Sequence, residues 1–353
     1  MTELFTPDEH AALDGWLATN VPALGDGTLT ASFVTGGTSN VVVKLTRGGK
    51  AVVLRKAPAL APPASAKAIQ REATVLKGLS GSRVPHPAFH GYSDDAQIVG
   101  GPFYIMDMVN GWAADLSTAN VMSFAPNFAG PDLHYLGYAM VEGIVEMANF
   151  DYVAAGLSDF GKPENFLARQ VERWRGQLAS YPQRYPGFES RKLPGLDYVA
   201  SWLSANVPAT GQPGLMHGDY AMNNVMFAHR PRARLAAIID WETSTIGDPL
   251  MDLAGYGSQL RRRAGPQPER PYLDPAQFPV FEDVVAYFAD STGRDVSAID
   301  YYLILSKFRM ACIVEYKVAE AAIGLAPAEK GARFDAIVRG LLSESETLAR
   351  RAG

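Results

Sequence analysis

The chain has 353 residues, of which 47% are hydrophobic and 20% charged, and a formal net charge of -5. That length can bury a substantial core as one large domain or two moderate ones, and the composition excludes the disordered and fibrous classes. The acidic balance opposes attraction to a phosphate backbone, so nucleic acid is not an expected partner.

In chain order, the first ten residues carry Glu3, Asp8 and Glu9 where a secretory leader would be basic and then apolar. No later run approaches the ~18 apolar residues of a membrane span. A cytoplasmic protein without membrane contact is expected. From about Leu29 to Leu54 the pattern is strand-like: Thr30 to Val34, Asn40 to Leu45 and Ala51 to Arg55, separated by Gly36-Gly37 and Gly48-Gly49. Antiparallel hairpins are the simplest reading. Past a Pro-rich stretch at 58 to 63, Ile69, Ala73, Leu76 and Leu79 share one face of an amphipathic helix. Pro102 to Val109 reads as another apolar strand, closed by Asn110-Gly111.

Beyond Gly111 the character changes. Leu133, Leu136, Met140, Val141, Ile144, Val145 and Ala148 are spaced as a buried helical stripe, and helical patterns recur at 165–180, 196–205, 280–289, 297–319 and 333–350. Between them Leu215 to Glu242 reads as one compact β-rich island of three short apolar runs. Cys312 is the single cysteine and has no Cys/His cluster around it, which excludes an internal disulfide and a zinc or iron–sulfur site. A reducing compartment fits. The oligomeric state is left open.

The island holds the most informative residues: His217-Gly218-Asp219, then Asn223-Asn224, then Ile238-Ile239-Asp240-Trp241-Glu242. Phosphoryl transfer needs one carboxylate to position and deprotonate an attacking hydroxyl, and a carboxamide and a second carboxylate to hold magnesium on nucleotide phosphates. Asp219 is the candidate base, and Asn224 and Asp240 are the candidate metal ligands. His217 reads as a general base or, in preference, as a hydrogen-bonding strut. In the amino-terminal half, Gly36-Gly37-Thr38-Ser39-Asn40 is either an ordinary hairpin turn or a loop whose amides approach phosphate. Arg55 is either a solvated strand edge or a phosphate-binding cation. Glu72 is either an exposed helical carboxylate or the ion-pair partner of Arg55.

The spacing His-x-Asp-x-x-x-x-Asn followed by an apolar strand ending in Asp, and then Gly247-Asp248-Pro249-Leu250-Met251-Asp252, resembles the catalytic core of the aminoglycoside phosphotransferase family. The resemblance implies an α+β, protein-kinase-like, two-lobed fold: a small antiparallel N-lobe sheet with one helix, and a larger helical C-lobe. It implies a nucleotide-binding lobe over 1–109 and a catalytic, acceptor-binding lobe over 110–353. It implies ATP and Mg2+ as cofactors, with Gly37, Thr38, Ser39, Asn40, Arg55 and Glu72 around the phosphates, and Asp107 and Val109 at the adenine-binding hinge. Arg55 stands where kinases carry lysine, and Asp252 matches the aspartate that braces the catalytic loop. The segment from Val153 to Trp174 is similar to the kinase-like domains attached to certain acyl-CoA dehydrogenases, which implies a hydroxyacyl-CoA-type acceptor ahead of an aminoglycoside. A polycationic acceptor calls for an acidic wall, and residues 151 to 200 have no acidic excess. The expected activity is therefore transfer of the ATP γ-phosphate to a hydroxyl of a small molecule. The competing reading is a nucleotide-binding scaffold of the pseudokinase kind, without turnover.

Overall fold

The computed structural model describes residues 4–34, 40–58, 63–113, 131–209, 211–229, 232–260 and 278–352. The chain forms two compact units, one of Met1–Glu146, Phe150–Phe160 and Met222–Ser244, the other of Met147–Asn149, Gly161–Ala221 and Thr245–Gly353. Where the sequence suggests one cut after Val109, this partition is discontinuous. The chain enters the first unit again at Met222 and leaves it after Ser244.

The first unit opens with α1 (Pro7–Asn20), a helix the apolar pattern does not announce. Its start is set locally by a capping box: Thr6 Oγ1 accepts from the Glu9 amide at 3.2 Å and Glu9 Oε2 accepts from the Thr6 amide at 2.8 Å. Five antiparallel strands follow: β1 (Thr30–Phe33), β2 (Val41–Arg47), β3 (Lys50–Lys56), β4 (Phe89–Ser93) and β5 (Phe103–Asp107), in the order β1-β2-β3-β5-β4. Gly48 and Gly49 join β2 to β3 with φ of 55° and 80°. A two-residue hairpin of this kind needs positive φ at both positions, which explains the glycine pair. Alternation along β2 buries Val43 and Leu45, which meet Leu13, Leu17, Leu54, Phe103 and Ile105 in one core. Burying each such side chain contributes about 1.5–3 kcal/mol.

Helix α2 (Pro63–Leu79) presents Ile69, Ala73, Leu76 and Leu79 as a buried stripe, and Glu72 lies on that stripe. Between β4 and β5 comes the short α3 (Ala96–Val99). A second sheet of this unit has the order β6-β8-β9, from β6 (Trp112–Ala113), β8 (Val225–Phe227) and β9 (Leu235–Ile238). Helix α4 (Pro131–Ala148) buries Leu136, Met140, Val141 and Ile144, as its stripe predicts.

The second unit is helical: α5 (Gln170–Arg184), α6 (Leu196–Ala205), α7 (Leu250–Leu260), α8 (Phe281–Thr292), α9 (Ile299–Ala322) and α10 (Ala328–Ala352). Helix α9 packs against α5, α6, α7 and α10, with Leu303, Ile304, Leu305, Phe308, Ala311 and Cys312 fully buried. One antiparallel pair, β7 (Gly214–Met216) with β10 (Thr245–Gly247), completes it. The island expected as one compact body is therefore divided. β7 pairs within the second unit and β8 and β9 pair within the first, because an apolar run does not encode which partner strand will satisfy its amides. Among the described residues no helix is long and apolar enough to cross a membrane.

Candidate active site

In the first unit, β3 and β5 are in register with Arg55 opposite Tyr104. The Arg55 side chain is buried and reaches three carboxylates: Nε lies 3.3 Å from Glu72 Oε2, and Nη2 lies 2.6 Å from Asp240 Oδ1 and 3.9 Å from Glu242 Oε2. Glu72, wholly buried on the apolar face of α2, also accepts a hydrogen bond from the Tyr104 hydroxyl at 2.8 Å and one from Asn40 Nδ2 at 3.5 Å. Burial pushes the Glu72 carboxyl up to about 7, against the downward pull of Arg55 and Tyr104, while Asp240 and Glu242 add to the rise. Burial opposes the Arg55 charge, but Tyr104, Glu72 and Asp240 outweigh it and hold Arg55 above the ordinary guanidinium range.

Asp240 has φ 65° and ψ 59°, a left-handed conformation that aspartate tolerates better than most residues. The conformation is held by the turn that follows: Trp241 is buried and its Nε1 donates to Ile238 O at 2.9 Å. Asn224 stands at the head of β8, where Val225 pairs with Ile238, and its carbonyl accepts from the Ile239 amide at 2.9 Å. That ladder places Asn224 beside the residues leading into Asp240. The Glu72, Asp240 and Glu242 oxygens lie within 4.8 Å of one another. Asp240 and Glu242 are half-exposed carboxylates, hard oxygen donors of a kind that fits a divalent cation such as magnesium.

In the second unit, His217 directly follows β7 and is fully buried. Asp252, on the first turn of α7, accepts from the His217 amide at 2.6 Å and from the Gly218 amide at 2.9 Å. Gly218 has φ 81°, which a side chain would strain. Asp219 follows, exposed, with its amide donating to His217 Nδ1 at 3.3 Å. Arg309 of α9 donates to Gly218 O, so the turn before Asp219 is held from two helices. Burial raises the Asp252 carboxyl above its ordinary range, and His217 and the two amides pull it back.

Of the residues singled out from sequence, Asn40, Arg55, Glu72 and Asp240 meet in one cluster, with Asn224 tied to it by the β8–β9 ladder. Asp107, at the exposed end of β5, lies 2.6 Å from His90 Nε2 and donates its amide to Ala88 O, and Val109 is half-buried after it. Gly37, Thr38 and Ser39, and the Arg261-Arg262-Arg263 run, lie outside the described residues. Sequence reading missed Tyr104, Glu242 and Arg309. The local signals for them are slight: a polar tip in an apolar strand for Tyr104, and a place two residues after Asp240 for Glu242. Nothing local marks Arg309.

The family model of the phosphotransferase enzyme family matches residues 30–282. Acyl-CoA dehydrogenase family member 11 of Gallus gallus is 29% identical over 97% of this chain, which spans only 44% of that relative. A crystal structure from Ralstonia eutropha JMP134, named as a candidate aminoglycoside phosphotransferase, superposes with a TM-score of 0.81 at 28% identity, covering 97% of this chain and 98% of that one. The aminoglycoside phosphotransferase APH(4)-Ia, solved with ADP and hygromycin B, has a TM-score of 0.55 at 13% identity over 94% of this chain and 97% of its own, and so shares the fold. That fold is the α+β, kinase-like one.

Proposed function

This chain belongs to the phosphotransferase enzyme family, and from that premise we propose that it transfers the γ-phosphate of ATP, with magnesium, to a hydroxyl of a small molecule. The observation that carries the reading is the buried Arg55, held by Glu72 and facing Asp240, with Asn224 laddered alongside. Arginine binds phosphate oxygens bidentately, so Arg55 grips the nucleotide and Glu72 keeps it aimed. Tyr104 and Asn40 in turn fix the Glu72 carboxylate. Asn40 and the preceding Gly37, Thr38 and Ser39 cover the phosphates, and Asp107 and Val109 border the adenine. This division of roles keeps 1–109 as the nucleotide-binding part and 110–353 as the part that supplies the base and receives the acceptor.

Asn224 and Asp240 would hold magnesium, with Glu242 a further oxygen donor nearby. The chemistry magnesium supplies when bound is neutralisation of charge on the transferring phosphates. Asp219 orients the acceptor hydroxyl and takes its proton. The braces from Asp252 and Arg309 keep that carboxylate placed, so little reorganisation is needed at the moment of transfer. ADP in a structure of the same fold supports nucleotide as the donor. The acyl-CoA dehydrogenase names of the curated relatives favour a hydroxyacyl-CoA-type acceptor over an aminoglycoside.

The test is thermal unfolding with MgATP, because a ligand that binds only the folded state raises stability with its concentration over Kd. Wild type is stabilised, Asp240→Ala loses the magnesium-dependent part, and Asp219→Ala keeps the stabilisation while losing ATP turnover. No stabilisation of wild type by millimolar MgATP overturns the reading. Stabilisation without turnover in wild type, across hydroxyacyl-CoA, aminoglycoside and simple alcohol acceptors, identifies a nucleotide-binding scaffold instead.

A further inference from the structure

Next to the Gly218–Asp219 turn, the helical unit sets two arginines against one buried indole. Arg173 on α5 and Arg309 on α9 both lie against the ring of Trp174, their guanidinium carbons 4.8 Å and 5.0 Å from its centroid. Trp174 is itself buried, fixed by a 3.1 Å bond from Nε1 to Gln170 Oε1, and Gln170 is also buried. The platform is rigid. Arg309 spends one donor on Gly218 O, and Arg169, one turn before Arg173, spends its guanidinium on the carbonyls of Lys162 and Glu164. Among the described residues, no carboxylate forms an ion pair with Arg169, Arg173 or Arg309. Elsewhere in the same unit arginines are paired, as Arg191 is with Glu315 and Asp335.

Stacking on an indole face orients a guanidinium while leaving its edge donors free for an oxyanion. Crowding like charges around one ring, beside the turn that carries Asp219, costs energy that an anionic ligand would recover. We propose that Arg173 and Arg309, laid on Trp174, form a subsite for a carboxylate or phosphate group on the molecule whose hydroxyl Asp219 meets. The acceptor is then an anionic hydroxy compound, held by its charged group on one side of the turn. Burial depresses the Arg309 charge and Arg173 depresses it further, while Asp219 and Asp252 restore it, so a bound oxyanion would replace work now done by the catalytic carboxylate.

The identity of the ligand as acceptor rests on the phosphotransferase reading; anion binding at Trp174 does not. The experiment uses the full chain labelled with 5-fluorotryptophan, the Trp174 fluorine resonance being assigned by its loss in Trp174→Phe. Sodium phosphate and sodium acetate are titrated at constant ionic strength, without nucleotide. One of them moves the Trp174 resonance saturably, and which one does so tells phosphate from carboxylate. Arg173→Gln and Arg309→Gln each weaken that binding by about tenfold, the worth of one lost charge-assisted contact. Arg173 is exposed, so its variant keeps the test valid if Arg309→Gln fails to fold. A resonance unmoved by both anions at tens of millimolar, or moved equally in Arg173→Gln, overturns the subsite. Stabilisation by MgATP with no anion-dependent shift removes the subsite alone. A shift with no MgATP stabilisation leaves the anion site standing and removes the phosphotransferase reading.

Discussion

Arg55 is in contact with the fully buried carboxylate of Glu72, which also accepts from the Tyr104 hydroxyl. Removing the cation leaves Glu72 buried without its counter-charge, a loss of about 3–5 kcal/mol for pairs of this kind. Arg55→Met should therefore lower the urea midpoint strongly, whereas Arg55→Met with Glu72→Leu should recover much of the loss. The two outcomes separate structural from ligand-binding cost, because neither variant should regain stabilisation by MgATP. Glu72 also predicts a pH dependence. Its carboxyl is raised from the ordinary 4.5 to about 7 by burial, so the folded protein holds that proton more tightly than the unfolded chain does. The stability it contributes is complete below about 4.5 and drains away as pH rises through about 7. Denaturant titrations across that window should show stability falling with pH at no more than about 1.4 kcal/mol per unit from this group. Glu72→Gln should flatten the slope, and an unchanged slope removes Glu72 as its source. Asp252 supports two buried amides at once, those of His217 and Gly218. Asp252→Ala strands both, at about 1–3 kcal/mol each. Thermal unfolding checks the stability loss, and ATP turnover should fall further than MgATP binding, because the turn that carries Asp219 loses its brace.

At the scale of elements, the sharpest constraint is where α7 meets α8. A Cβ built on Gly257 would lie 1.8 Å from Phe281 Cε2, a distance no relaxation of one side chain absorbs cheaply. Gly257→Ala should cost about 1–3 kcal/mol by overpacking. Adding Phe281→Leu should recover part of that cost, giving a non-additive double-mutant cycle; strict additivity would show that the two positions do not touch. The elements themselves were legible to different degrees. α6 and the stripe of α4 follow from apolar spacing alone, and the β2–β3 hairpin follows from its glycine pair. α1 was not seen, because its start lies in the Thr6–Glu9 capping box and its packing in two leucines, Leu13 and Leu17, a single helical turn apart. β4 was missed because Phe89 to Ser93 is half-buried along its whole length and shows no alternation.

For the whole molecule, Cys312 offers a probe of global or unit-wide opening. It is fully buried on α9, and burial pushes its thiol up to about 12. Since the thiolate is the reactive form, labelling by a thiol reagent at neutral pH should proceed only through opening of the helical unit. Its rate should rise with denaturant in step with unfolding. Prompt stoichiometric labelling of the native protein would contradict the packing of α9.

The sequence by itself determined the fold class and the family, and it named Asp219, Asn224 and Asp240 as candidates. Those depend on periodicity and on motif spacing, which are written along the chain. It also named Arg55 and Glu72 as partners, although only as one of two readings for each. Tertiary structure removed the solvated reading of each by burying Glu72 completely and setting Arg55 against it. It also divided the β-rich island between two sheets, brought Tyr104 and Glu242 to the cluster, and carried Arg309 to the Gly218 carbonyl, a contact across 91 positions of chain. The physical reason is common to all of these. A buried donor, acceptor or charge must find a partner, and nothing in its local sequence says how far along the chain that partner lies.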